Sequence, residues 1–155
     1  MQVTIPGQAE LDIRHVVFDY NGTLAEDGAL IPGVAQQINH FAPQFTFHVI
    51  TADTYGTVAQ ALEGVACTVH VIPNGQQDVS KRQYVEQLGK EHVLVVGNGN
   101  NDKLMLQTAA LGIALIQAEG VAVQAVMAAD VVCTSVLDVF GYLATPNRLV
   151  ATLRN

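Results

Sequence analysis

The sequence predicts an α/β domain built on one doubly wound, mostly parallel sheet with helices layered on both faces. Two observations carry that prediction. Short runs of β-branched residues alternate with helix-like segments along the whole chain, the βαβα order of a parallel sheet. Half of the 155 residues are hydrophobic and only 14% are charged, which excludes a disordered chain and suits a sheet buried on both faces. One domain spanning residues 1–155 is the simplest organisation for this length.

Val3 to Ile5 and Glu10 to Ile13, separated by Pro6-Gly7, read as a small hairpin leading into the first core strand, His15 to Asp19. The turn-rich stretch Tyr20-Asn21-Gly22-Thr23 stops that strand. A loop or small flap runs to Gly33, followed by a helix from Val34 to about Phe41. Phe45 to Ile50 is the second core strand. A helix from Thr54 to Leu62 follows, with Asp53 as its N-cap and Gly64 as its stop. Cys67 to Ile72 is the third strand, and Pro73-Asn74-Gly75 turns the chain. Asp78 or Ser80 caps a helix running through Lys81 to Leu88, which Gly89 ends. His92 to Val96 is the fourth strand, and a helix then carries Lys103 to Ala110. Gly112 to Ile116, a helix from Val121 to Ala128, and Asp130 to Cys133 complete the alternation. Ser135 caps a helix to about Ala144, and Pro146 separates it from a last helical turn, Asn147 to Arg154. No internal repeat, low-complexity stretch or linker interrupts this order.

Seven Lys+Arg stand against 14 Asp+Glu, a formal charge of −7, and no basic run appears. The electrostatic footprint of a nucleic-acid binder is therefore missing. A phosphorylated substrate stays open, because a bound cation reverses the local potential. No apolar stretch reaches the ~18 residues of a membrane helix, and the first residues lack the basic and apolar regions of a signal peptide. The expectation is a cytoplasmic protein with no membrane partner, and the low charged fraction is compatible with a homo-oligomer. Cys67 and Cys133 lie in separate apolar runs without metal-ligand or CxxC spacing and read as reduced, buried thiols. No two of the histidines make a metal-ligand pair at helical spacing, so they read as packing residues.

In open α/β sheets, ligands bind beyond the C-terminal ends of the strands. The first core strand ends in Asp19, the second in Thr51 and Asp53, and the fourth in Asn98 and, after a turn, Asp102. Lys81 opens the helix before the fourth strand and reaches the same rim. These residue types form a set for phosphoryl transfer. A strand-end carboxylate can attack phosphorus, and two carboxylates with a backbone carbonyl are hard oxygen ligands for Mg²⁺. A Thr hydroxyl and a Lys can hold the phosphoryl oxygens, and the Gly22 turn lets backbone N–H groups approach them. Each residue also has a plainer reading: Asp19 as a turn residue, Thr51 and Asp53 as helix caps, Lys81 as a solvated helix residue. Lys90 competes with Lys81 but follows the Gly89 stop and should face solvent. Gly97-Asn98-Gly99 with Glu119 imitates a dinucleotide fingerprint. Its third glycine position holds Asp102, however, where close helix–sheet packing needs a small residue.

Together these segments resemble the haloacid dehalogenase superfamily. Asp19-Tyr20-Asn21-Gly22-Thr23-Leu24 is similar to its first motif, DxDGTL, and Ile50-Thr51 to its second, a Thr or Ser ending a strand. Lys81 resembles the third, and Gly97-Asn98-Gly99-Asn100-Asn101-Asp102 resembles the fourth, GDGxND. The resemblance covers roughly residues 13–133. Within the superfamily it is closest to the phosphorylation domain of P-type ATPases and its soluble stand-alone relatives. Thr51-Ala52-Asp53 is similar to that domain's TGD, Lys81 to Val85 to its K-x-x-x-V helix, and Gly112-Ile113-Ala114 to its GIA strand.

The resemblance implies a capless, Rossmann-like haloacid dehalogenase domain that transfers phosphoryl groups through an aspartyl phosphate at Asp19. It implies phosphate binding by Gly22, Thr51, Ala52 and Lys81, and Mg²⁺ held by Asp19, the Asn21 carbonyl, Asn98 and Asp102. Only about ten residues separate Leu24 from the first helix, too few for a cap domain. The substrate would be a small phosphorylated molecule or a phosphorylated macromolecule.

Two positions depart from the pattern. Asn21 stands where family phosphatases have the Asp that protonates the leaving group and activates water, a role worth ~10²–10⁴-fold. The P-type pumps have Thr there, and their aspartyl phosphate is long-lived. Asn98 stands where the fourth motif has a metal-binding Asp; an amide oxygen coordinates hard cations but brings no charge. Both changes are isosteric, so the shape of the site is expected to survive them. The reading is a slow phosphatase or hydrolase of phosphate monoesters or anhydrides. The alternative is a catalytically degenerate module that binds metal, phosphate or a protein partner without turnover.

Overall fold

The alternation resolves into a parallel sheet flanked by helices, in a computed structural model that describes residues 1–53 and 56–155. Strands β1 (Gln2–Val3) and β2 (Leu11–Asp12) form an antiparallel N-terminal pair, and β3 (His15–Asp19) enters the main sheet. A second hairpin, β4 (Ala25–Glu26) and β5 (Ala29–Leu30), precedes helix α1 (Val34–Phe41). There follow β6 (Thr46–Thr51), α2 (Thr57–Ala61), β7 (Cys67–Val71), α3 (Gln77–Gln87), β8 (Val93–Gly97) and α4 (Lys103–Thr108). The chain closes with β9 (Leu111–Leu115), α5 (Val123–Ala128), β10 (Val131–Cys133), α6 (Val136–Ala144) and α7 (Asn147–Leu153).

The main sheet has the order β10-β9-β8-β3-β6-β7, and every neighbouring pair is parallel. From β3 the chain builds outward to β6 and β7. Helix α3 then carries it back across the sheet to β8, on the other side of β3. The direction of winding therefore reverses between β3 and β8, and such a switch point leaves a crevice at the C-terminal strand ends.

Alternation along each strand divides the core between two faces. Val16 and Phe18 of β3, Phe47 and Val49 of β6, and Leu94 and Val96 of β8 pack toward α1, α2, α6 and α7. Val17, Ile50, Val93 and Val95 pack toward α3, α4 and α5. All five phenylalanines of the chain gather on the first face, Phe18, Phe41, Phe45, Phe47 and Phe140, with neighbouring ring centroids 5.8–6.3 Å apart. On the second face His48 is buried. Its Nδ1 lies 2.8 Å from the Tyr84 hydroxyl and its Nε2 lies 3.1 Å from His15 Nδ1.

Several sequence expectations shift in detail. The N-terminal pair is shorter than the hydrophobic runs suggest: Ile5 is buried beyond the last paired residue, whereas Ile13 lies past β2 but still exchanges backbone hydrogen bonds with Met1. The helix expected from Thr54 is described from Thr57, and its proposed first residue lies outside the described residues. The N-cap position is Gly56 rather than Asp53, but the Asp53 carboxylate still reaches the first turn, accepting from Val58 N–H at 2.8 Å and from the Thr57 hydroxyl at 3.0 Å. Neither Asp78 nor Ser80 caps α3, and Lys81 does not open it. Gln76 turns the chain into the helix four residues earlier than Ser80, at φ 43°, and Lys81 lies in the second turn.

Ser135 caps α6 as expected, accepting from Leu137 N–H at 3.1 Å. Ser135→Ala is expected to lower the stability by about 1 kcal/mol. Urea unfolding would show this as a lower midpoint with an unchanged slope.

Candidate active site

Asp19, Lys81 and Asp102 converge at the switch point. Asp19 ends β3, and the tight turn after β8 presents Asp102. Helix α3, the element that crosses from one half of the sheet to the other, brings Lys81 between them. The Lys81 ammonium donates to Asp19 Oδ1 at 2.6 Å and to Asp102 Oδ1 at 2.7 Å. The Lys81 side chain is 1% exposed and that of Asp102 0%, whereas that of Asp19 keeps 12%. Lys90, the competing lysine, is exposed.

The second Asp102 oxygen is held by the turn itself, accepting from the N–H groups of Asn98 at 2.9 Å and Gly99 at 2.8 Å. That grip needs Gly97. A Cβ there would stand 2.5 Å from the Asp102 carboxyl carbon. The residue that spoils the dinucleotide fingerprint is thus the one around which the loop is folded.

Two carboxylates against one ammonium leave an excess negative charge in a site shielded from water. Burial, reinforced by the Asp102 charge and opposed by Lys81, pushes Asp19 up to about 7. Burial alone would lower the Lys81 ammonium, but the two carboxylates outweigh it and hold Lys81 above its ordinary value.

The other predicted residues surround this trio in different states. Thr51 is buried at the end of β6, one residue beyond Ile50, which is in register with Asp19. Its hydroxyl oxygen accepts from Asp53 N–H at 3.1 Å, which leaves the hydroxyl proton to donate. Gly22 takes φ 75°, and its N–H donates to the Ala25 carbonyl at 2.9 Å. Asn21 is exposed on the same turn. A cleft of about 460 Å³ opens beside it, with Tyr20, Asn21, Gly28, Ala52, Asp53 and Asn74 among its walls. The β4–β5 hairpin overhangs this cleft and is pinned by the Tyr20 hydroxyl, which donates to the Gly28 carbonyl at 3.0 Å.

Asn98 is a structural tie as much as an open ligand. Its amide oxygen accepts from the Thr23 hydroxyl at 3.3 Å, and its amide nitrogen donates to the Gly120 carbonyl at 3.1 Å. Sequence reasoning treats an aspartate here as isosteric; the structure adds that an aspartate would have no donor for Gly120. Sequence reasoning also passes over Gln117, which follows β9 at the same rim. Its side chain bonds to the carbonyls of Gly22 and Thr23. Applying the strand-end criterion to β9 as well would have found it.

Among the described residues no three His, Cys, Asp or Glu side chains group so as to hold a metal. The oxygens that could hold a cation at this rim are mixed: the Asp19 carboxylate, the Asn21 carbonyl, the Asn98 amide oxygen and the Asp102 carboxylate, whose two oxygens are already bonded to Lys81 and to backbone N–H groups. The excess buried negative charge on hard oxygens is what a divalent cation would neutralise.

No family model matches the chain. An uncharacterized protein of Methanocaldococcus jannaschii is 36% identical over 85 residues, which is 52% of this chain and 91% of that protein. The chain belongs to one family with it. Among solved structures, a Streptomyces avermitilis protein described as a HAD family hydrolase superposes with TM-score 0.64 at 23% identity, over 79% of this chain and 76% of that one. The Moraxella catarrhalis 3-deoxy-D-manno-octulosonate 8-phosphate phosphatase, solved with magnesium, phosphate and KDO, gives 0.66 at 18% identity, over 92% and 94%. The cobalt-bound deoxy-D-mannose-octulosonate 8-phosphate phosphatase of Haemophilus influenzae gives 0.65 at 11%, over 90% and 97%. The fold is that of the haloacid dehalogenase superfamily.

Removing the cation from the trio leaves two facing carboxylates without compensation, so Lys81→Met is expected to cost about 3–5 kcal/mol, measured by chemical denaturation. The pH profile gives a second check. Folded Asp19 holds its proton up to about 7, against 3.8 for an ordinary aspartate, so it lowers stability as pH rises through that window. His48 acts in the opposite sense: burial holds it near 4 against an ordinary 6.5, so its contribution is lost as pH falls through that range. Asp19→Asn removes only the first component. The stability of that variant relative to wild type is expected to rise between pH 4 and pH 7; a constant difference would contradict the assignment.

Proposed function

We propose, from the premise of the haloacid dehalogenase fold, that this chain is a phosphoryl-transfer protein. In this reading it hydrolyses phosphate monoesters or anhydrides slowly through an aspartyl phosphate at Asp19. The observation that carries the reading is the buried Asp19–Lys81–Asp102 trio, two carboxyl groups on one ammonium, at the switch point. A purely structural ion pair would not need the second carboxylate. The Mg²⁺-bound neighbour and the donor set support Mg²⁺ as cofactor, held by Asp19, the Asn21 carbonyl, Asp102 and the Asn98 amide oxygen. When bound, the ion supplies positive charge to the phosphoryl oxygens.

The residues divide the chemistry as follows. An Asp19 carboxylate oxygen forms a bond to phosphorus, and the bond to the leaving group breaks with its electron pair going to that group. Lys81, kept charged by its two carboxylates, and the free proton of the Thr51 hydroxyl stabilise the charge on the transferring group. Water then attacks phosphorus, phosphate departs and the Asp19 carboxylate is restored. Asn21 can neither give the leaving group a proton nor take one from water, and for that reason turnover is slow. The leaving group lies in the cleft beside Asn21. It belongs to a small phosphorylated molecule or to the exposed part of a larger one.

A second reading, binding without turnover, is favoured by one observation. The Asn98 amide is committed to Thr23 and Gly120, as a residue selected for holding loops together would be.

Acetyl phosphate with Mg²⁺ separates the two readings. The expected result is a phosphoryl adduct that peptide mapping places on Asp19 and that Asp19→Asn abolishes. No adduct and no turnover over a broad Mg²⁺ range would overturn the first reading. Asn21→Asp restores the missing proton carrier at an exposed position and is expected to raise p-nitrophenyl phosphate turnover by more than about tenfold.

A further inference from the structure

The turn that follows Asp19 is bonded within itself and also to a neighbouring loop. The N–H groups of Gly22 and Thr23 are used inside it, on the carbonyls of Ala25 at 2.9 Å and Tyr20 at 3.2 Å. The carbonyls of Gly22 and Thr23 face outward, and both accept from one side-chain nitrogen, Gln117 Nε2, at 3.1 and 2.9 Å. The amide oxygen of Gln117 accepts from Val136 N–H, the first residue of α6, at 2.7 Å. These partners fix the orientation of the amide: two carbonyls require its donors, and a backbone N–H requires its acceptor.

The loop that carries Gln117 makes two further ties to the site. Glu119 Oε1 accepts from Asp27 N–H at 2.8 Å, at the tip of the hairpin that overhangs the cleft. Gly120 O and Ala122 N–H bond to the side chain and the backbone of Asn98 at 3.1 and 2.8 Å. Residues 117–122 therefore join the turn after Asp19, the overhanging hairpin and the turn that holds Asp102. Gln117 is the member that reaches the turn after Asp19.

We infer that Gln117 is a positioning residue of the phosphoryl-transfer site: its amide nitrogen fixes the Gly22–Thr23 turn, and through it the Asn21 carbonyl and the approach to Asp19. The inference rests on the function proposed above, but its test can fail separately. A merely structural role for Gln117 would run through its amide oxygen, which caps α6.

Gln117→Glu distinguishes the two roles. A carboxylate still accepts from Val136 N–H, and a negative charge suits a helix N-terminus, so the cap of α6 is expected to survive while the oxygen set against Gly22 O and Thr23 O lowers the melting temperature only moderately. It cannot donate to Gly22 O or Thr23 O, so amide hydrogen exchange in the segment 20–25 is expected to speed up. Phosphorylation of Asp19 by saturating acetyl phosphate is expected to slow by about tenfold to a hundredfold, with little change in the half-saturating concentration. Unchanged exchange in segment 20–25 would overturn the inference, whatever the activity of the wild type. Faster exchange supports it even where neither protein is phosphorylated, an outcome that would count against the proposed function alone. Wild-type phosphorylation kinetics in Gln117→Glu would overturn the catalytic consequence.

Discussion

An ammonium group buried between two carboxylates sets the terms for the rest of this molecule. Taking each ion out of water costs several kcal/mol, and their mutual attraction repays that only when the geometry is right and the remaining lone pairs are bonded. Each feature around the trio meets one of those conditions. β3 ends at Asp19, so its carboxylate stands at the crevice. The loop after β8 folds around the second oxygen of Asp102 with two backbone N–H groups. Helix α3 enters its first turn early enough that Lys81, rather than the exposed Lys90, comes to lie inside.

The topology explains why these three segments meet. A sheet wound outward in one direction only would leave α3 on the flank, with Lys81 facing a single layer of strands. Because the chain reverses after β7, α3 must cross back over the sheet, and its Lys81 is carried over the gap between β3 and β8. The same crossing packs Tyr84 and Val85 onto the second face of the core, where Tyr84 meets the buried His48. Core packing and site assembly thus depend on the same turns of one helix.

Much of this is legible in the sequence, and for a physical reason. Strand ends in an α/β sheet share one rim, so Asp19, Thr51 and Asp102 could be grouped without knowing a single distance. The boundaries of β3, α1 and α6 follow from unambiguous signals: a β-branched run ending in a turn, a periodic segment after Gly33, and a Ser cap. What is hidden depends on contacts between distant residues. The early start of α3 rests on a left-handed Gln76, which no residue preference announces. The hairpin over the cleft was legible only as a flap, although Asp27-Gly28, both at positive φ, is the pair that a two-residue hairpin turn favours. Ties such as Gln117 to Gly22 and Asn98 to Gly120 link positions 95 and 22 residues apart, and a side-chain amide looks alike whether it is free or bonded twice.

The two asparagines that depart from the superfamily pattern therefore have different weights. Asn21 is exposed beside the cleft, and in the proposed mechanism its amide leaves the site without a proton carrier. Asn98 is half-buried, and its amide does what a carboxylate cannot, donating to Gly120 while accepting from Thr23. An aspartate at 98 would bring the charge that a cation prefers, but it would set a lone pair against the Gly120 carbonyl. It would also add a third negative charge near a trio that already carries one in excess. Restoring both family aspartates together would thus mix a gain in proton transfer with a loss of loop positioning. The single change at Asn21 isolates the chemistry, and for that reason the proposed slow hydrolysis is best judged at that residue.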